Sequence, residues 1–215
     1  MLCYRPAIKP GLWGTKVGKG FKRLFAAAAA LLLAAPAAAQ NFSDSYTFMK
    51  AVKDRDGSKV TGLIAEPGSV VLNTRDRSSG ETALHLVVRD RDYNWTAFLL
   101  QKGARPDVLD KSGNSPLSLA AQLGWVEGAQ LLVAGRAAVD FANTKGETPL
   151  ILAVHRRDLP MVRLLLSLGA DPHRTDRIAG LSAIDYAKRD PRAATVLRLL
   201  ETPRAPARAA SGPTL

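Results

Sequence analysis

A short phrase returns along this chain at nearly constant spacing. Gly80-Glu81-Thr82-Ala83-Leu84 becomes Gly113-Asn114-Ser115-Pro116-Leu117, then Gly146-Glu147-Thr148-Pro149-Leu150, then Gly180-Leu181-Ser182-Ala183-Ile184. The glycines step by 33, 33 and 34 residues. A fixed period of this length specifies a stacked array rather than a single globular core, because each unit completes its apolar core only against its neighbours. Such arrays mostly present a surface, so the functional question becomes one of partner rather than reaction.

The copies explain one another when set in register. Each glycine precedes a hydroxyl residue, Thr82, Ser115, Thr148 or Ser182, suited to accept a hydrogen bond from a free N–H at a helix start. Pro116 and Pro149 follow at the first helical position, where proline's fixed φ and missing N–H cost nothing. A short apolar helix is predicted next, then a tight turn. A second helix then carries the pairs Leu99-Leu100, Leu131-Leu132, Leu165-Leu166 and Leu199-Leu200. Gly103 and Gly169 are placed to end two of these helices in the left-handed conformation.

These residues resemble the ankyrin repeat. The resemblance rests on Gly-x-Thr-Pro-Leu, a helix, a turn, and a second helix ending Leu-Leu-x-x-Gly-Ala-Asp, with Leu164 to Pro172 a close match. It implies an all-α, ankyrin-type solenoid of about five helix-turn-helix repeats joined by β-hairpin-like loops. Its units are expected at about 77–109, 110–142, 143–176 and 177–201. A degenerate first unit is expected at 42–76, with a helix around Phe48 to Val52, a turn at Gly57 and a second helix from Ser58 to Ala65. In the third unit Arg136 stands where the capping glycine belongs and Gly135 comes one residue early, so its second helix is expected to end sooner. Gly128 inside that helix costs about 1 kcal/mol relative to alanine, which marks the third unit as the soft one.

The ends read differently from the array. Lys9, Lys16, Lys19, Lys22 and Arg23 precede an apolar run from Leu24 to Ala35, and Ala37-Ala38-Ala39 supplies a small-residue cleavage site. Residues 1–39 are therefore expected to be a secretory signal peptide. The run falls short of the roughly 20 apolar residues that a transmembrane helix needs, so no stable membrane insertion is expected after cleavage. Removing this leader takes away six Lys and Arg residues and lowers the formal charge from +11 to +5, which weakens any inference of nucleic-acid binding. The single cysteine, Cys3, lies within it, so an exported product would suit an oxidising compartment without forming disulfides. The Ala/Arg/Pro/Gly bias points to the periplasm, with secretion as the alternative. From Thr202 to Leu215 the Pro/Ala/Arg composition is that of a disordered tail.

Catalytic chemistry has little footing. No nucleophile motif, phosphate loop or metal-ligand spacing occurs, and no cofactor is expected. The resemblance gives His85 a structural role, bonding Thr82 and nearby backbone. It also places a set of side chains on a concave groove. The loop tips contribute Arg77, Lys111, Lys145 and Arg177. The ends of the first helices contribute Arg89, Arg91, His155, Arg156, Arg157, Lys188 and Arg189, with Trp125 near the middle. Arg and Trp are enriched among residues that dominate binding energy. Two readings stand side by side. Either these form a basic ladder for a protein partner with an acidic surface, or they are solvated charges diluted by Asp90, Asp92, Asp110, Asp158, Asp176 and Asp190, with Trp125 covering a seam between repeats. The expectation is a monomeric, non-catalytic binding protein of the cell envelope, with a secreted effector engaging host proteins as the alternative.

Overall fold

The computed structural model describes residues 35–67 and 69–202. Among the described residues ten α-helices form: α1 (Ala35–Lys53), α2 (Gly57–Ala65), α3 (Ala83–Arg89), α4 (Tyr93–Gln101), α5 (Pro116–Leu123), α6 (Val126–Ala134), α7 (Pro149–His155), α8 (Leu159–Ser167), α9 (Ala183–Arg189) and α10 (Ala194–Glu201). Single 3-10 turns occur at Val71–Asn73 and Pro191–Ala193. The described loops contain no strand, only one antiparallel bridge between Thr175 and Ser182. The architecture is the all-α solenoid that the repeat phrase implies. The expected leader lies outside the described residues apart from positions 35–39, which begin α1, and the expected tail lies outside them apart from Thr202. No described helix is long and apolar enough to cross a membrane.

The local chemistry of each repeat sets its helix limits. Ser115, Thr148 and Ser182 accept from the N–H of Ser118, Ile151 and Asp185 at 3.1, 3.3 and 3.2 Å, so each starts a first helix. Three of the second helices start on aspartates. Asp56, Asp92 and Asp158 accept from Lys59, Trp95 and Met161 N–H at 2.9, 3.0 and 3.0 Å. Between the two helices the chain turns through one left-handed residue: Arg55 (φ 58°), Arg91 (54°), Gly124 (69°) and Arg157 (54°). Three arginines thus hold a conformation that glycine adopts without the clash a Cβ brings. In the first repeat Arg55, not Gly57, makes the turn, and Gly57 opens α2.

The leucines meet where the register places them. Leu84, Leu117 and Leu150 from the first helices and Leu99, Leu132 and Leu165 from the second are fully buried. Ala83, Ala120, Ala121, Ala129, Ala153 and Ala187 fill the contacts between helices. Their small side chains permit close helix approach.

Three rows of hydrogen bonds tie each repeat to the next. In the first, Asn73, Asp107 and Asp140 side chains accept the backbone N–H of Arg105, Ala138 and Asp171 at 2.7, 3.0 and 3.1 Å. In the second, loop tips bond directly. Lys111 N–H donates to Ser79 C=O and Arg177 N–H to Lys145 C=O, both at 2.9 Å, while the Thr144 hydroxyl reaches Ser112 C=O at 3.2 Å. Glycine is needed where these tips meet, since a Cβ on Gly146 would stand 2.5 Å from Arg177 N. The third row uses the left-handed arginines. Arg55 bonds Asp90 and Asp92 at 2.8 Å, Arg91 bonds Leu123 C=O at 2.6 Å, and Arg157 bonds Asp190 at 2.8 Å. Gly124 leaves this row without a member between the third and fourth repeats.

The third repeat departs from expectation. Its second helix, α6, spans nine residues like α4 and α8. Arg136 takes the left-handed place (φ 69°) that Gly103 and Gly169 fill in the neighbouring repeats. The helix length is set by the packing of the array, and Arg136 absorbs the backbone strain. Replacing Arg136 with glycine is expected to stabilise the protein by about 0.5–1 kcal/mol, with Arg136→Ala giving no such gain. Urea denaturation midpoints of the two variants check this.

Candidate partner-binding face

The loop tips and the C-terminal ends of the first helices share one face of the array. A column of polar pairs spaced eight residues apart runs along it. Arg89 forms a salt bridge with Glu81, whose carboxylate is buried. Gln122 donates to Asn114 Oδ1 at 2.9 Å. His155 Nε2 lies 3.8 Å from Glu147 Oε1. In the last repeat the corresponding residues are Arg189 and Leu181, which cannot pair. Beside these pairs lie Leu86, Leu119, Leu152 and Tyr186, an apolar stripe three residues before each helical member. The Tyr186 ring meets the His155 ring edge-on, with centroids 4.3 Å apart. Its hydroxyl donates to Asp176 Oδ2 at 2.5 Å, which, with burial, pushes the phenol up to about 12.

The predicted cations separate into two groups. Several are answered within the fold. Arg89 is held by Glu81, Arg91 by Leu123 C=O and Arg157 by Asp190, while Lys111 Nζ donates to Arg77 C=O at 2.5 Å. Arg77 is exposed at the same tip. Lys145, Arg156, Arg177 and Arg189 are exposed and form no salt bridge with a described residue. All four belong to the last two repeats.

Two predicted members do not belong to this face. Lys188 is in register with Val88, Ala121 and Val154, which are buried under the following repeat. No further repeat follows among the described residues, so Lys188 stands exposed on the end of the array, 3.6 Å from Glu201. Trp125 is only 6% exposed. It occupies the place of the capping aspartate at the start of α6 and folds back onto that helix. A Cβ at Gly128 would collide with its indole. Gly128 is therefore the floor beneath the Trp125 ring, and its low helix propensity is the condition for that packing rather than a defect.

Sequence reasoning missed the pairs, although one signal was present. The column Glu81, Asn114, Glu147 complements Arg89, Gln122, His155 in chemical character at every step.

His85 is fully buried and bonds as its position implies. Nδ1 accepts from Thr82 N–H at 3.2 Å and lies 2.9 Å from the Thr82 hydroxyl. Nε2 is then the protonated nitrogen and donates to Asn114 C=O at 3.0 Å, joining the second repeat to the third loop. Ser118 and Asp185 serve the same site in other repeats by bonding Ser115 and Ser182.

A family model for ankyrin repeats, in three copies, matches residues 48–135 and 92–176. The chain belongs to the ankyrin-repeat family. It is 40% identical over 110 residues to a putative ankyrin repeat-containing protein of Treponema pallidum, covering 51% of this chain and 37% of that protein. It is 34% identical over 139 residues to the neurogenic locus notch homolog protein 1 of Danio rerio, covering 64% of this chain and 6% of that protein. It is 39% identical over 108 residues to the B-cell lymphoma 3 protein homolog of Mus musculus, covering 50% of this chain and 24% of that protein. The chain thus spans well under half the length of these curated relatives. Ankyrin repeats generally mediate protein–protein interaction and are generally not catalysts.

Two outcomes follow from this ankyrin array. Helix propensity alone would make Gly128→Ala stabilising. The indole above it makes the substitution destabilising by about 1–3 kcal/mol, and Trp125→Ala costs about 3 kcal/mol or more. The double variant is expected to cost less than the sum, measured by urea denaturation. His85 gives a pH dependence. Burial pushes its imidazole below the ordinary 6.5, against the pull of Asn114 C=O and Asp110. The unfolded chain then takes up a proton near pH 6.5 that the folded chain refuses. Stability is full above that pH and falls as the pH drops below it, by up to about 1.4 kcal/mol per unit. Urea midpoints between pH 7.5 and 5.5 should show this slope, flattened in His85→Gln.

Proposed function

We propose that this ankyrin array holds a protein partner through an acidic surface patch seated on the last two repeats. One observation carries the reading: the exposed cations Lys145, Arg156, Arg177 and Arg189 form no salt bridge with a described residue, while upstream Arg89 is held by the Glu81 carboxylate and Arg91 and Lys111 by backbone carbonyls. Nearby acids are occupied. Asp176 binds Tyr186 and loop N–H groups, Asp185 binds Ser182, and Asp190 binds Arg157. Those acids keep their charge, but residues 143–201 carry ten Lys and Arg against seven Asp and Glu, so the last two repeats are net positive beside the apolar stripe of Leu152 and Tyr186, a combination suited to steering and then burying an acidic partner. The leader expected at residues 1–39 supports export, and the reading places the protein in the cell envelope, as a monomer acting without chemistry.

The test begins with a partner captured from envelope extract by residues 40–215. Joint replacement of Lys145, Arg156 and Arg189 by glutamate is expected to slow association about tenfold or more at low salt, with a smaller effect at high salt. Arg89 and Arg157 are poor choices for this test, because reversing them breaks bonds inside the fold. An on-rate unaffected by the triple change would reject the assignment of this face.

A further inference from the structure

Three successive loops border an open hollow on the loop side of the array, with a volume of about 500 Å³. Its apolar lining includes Leu109, Ala138, Phe141 and Ala142, and Arg174 and Arg177 stand exposed at its border. The register explains why it is there. Ala142 stands where the preceding loop has Leu109, so a leucine side chain is missing from the row. Arg174 stands where the two preceding loops have Val108 and Phe141, so a cation interrupts an apolar column at the same place. Neither Arg174 nor Arg177 forms a salt bridge with a described residue. Asp140 also lines the hollow, and its carboxylate accepts the Asp171 N–H at 3.1 and 3.3 Å.

We infer that this hollow is the anchor site for an acidic segment of the partner, taking one large apolar side chain against Phe141 and Ala142 while flanking carboxylates meet Arg174 and Arg177. It rests on the reading that the array binds an acidic protein surface and adds where the segment is fixed. An apolar pocket rimmed by guanidinium groups favours this occupant. The ring or aliphatic side chain gains by leaving water, and each carboxylate finds a planar two-pronged donor. Arg177 N–H is bonded to Lys145 C=O at 2.9 Å, so the hollow adjoins the tip that carries Lys145, and one extended segment can touch both.

The test uses the full-length chain and fluorescein-labelled ten-residue peptides read by fluorescence anisotropy. The parent peptide has one phenylalanine between two pairs of glutamates. One variant peptide has serine for phenylalanine, and another has lysines for the glutamates. The parent is expected to bind, the serine peptide about tenfold more weakly, and the lysine peptide not at all. Ala142→Leu restores the side chain used by the preceding loop and fills the hollow without changing charge. It should weaken the parent peptide about tenfold. Arg174→Glu with Arg177→Glu changes only exposed positions and should abolish binding, whereas Arg163→Glu with Arg192→Glu, exposed positions outside the candidate face, should leave it within about twofold. Parent-like binding by both the Ala142 and the Arg174/Arg177 variants overturns the anchor site. If a variant with Arg156→Glu and Arg189→Glu then loses the peptide, the hollow is overturned while the acidic-partner reading survives without it. Failure of every peptide to bind also overturns the hollow, and the on-rate experiment on the captured partner judges the broader reading separately.

Discussion

A carboxyl or amide side chain of one repeat accepting the backbone N–H of the next is the contact on which this structure turns. Asn73, Asp107 and Asp140 make it at successive steps. No repeat can bury its leucines alone, so the fold exists only if neighbours meet in one register. Apolar contacts supply most of the driving force but tolerate sliding. A row of directional bonds, repeated every 33 or so residues, does not. The loop tips and the left-handed arginines impose the same register from two other sides.

Much of this was legible in the sequence. The hydroxyl before each first helix, Pro116 and Pro149, the paired leucines and the spaced glycines each have one local physical meaning, and all point to the same array. The inter-helix turns were harder to read. Arg55, Arg91 and Arg157 adopt a conformation associated with glycine, and nothing in an arginine announces that. Only the aspartate that follows each of them, capping the next helix, betrays the turn. Arg136 misled for the same reason. Local preference argued for a shorter helix, and the demand of the neighbouring repeats for nine residues prevailed.

The candidate face was legible as a list of positions but not as chemistry. Charge read along a sequence says nothing about which charges answer one another. Arg89 and Arg157 looked like partner contacts, and the fold uses both internally. Trp125 looked like an exposed anchor because large aromatics often are. Its burial depends on Gly128, three residues on, which had seemed only a weak helix former. The residual basic character of the last two repeats emerges when the internal pairs are subtracted.

Gly124 has a mechanical consequence. Between the third and fourth repeats it supplies no guanidinium to clasp the next turn, and the tips there are joined through the Thr144 hydroxyl rather than by a backbone bond. That junction is held instead by Asp140 accepting the Asp171 N–H and by the close approach of the turn to Asp158, whose carboxylate would stand 2.7 Å from a Cβ at Gly124. The boundary ahead of Lys145, Arg156, Arg177 and Arg189 is thus set by shape rather than by an ion pair, and salt that screens the basic face leaves it in place.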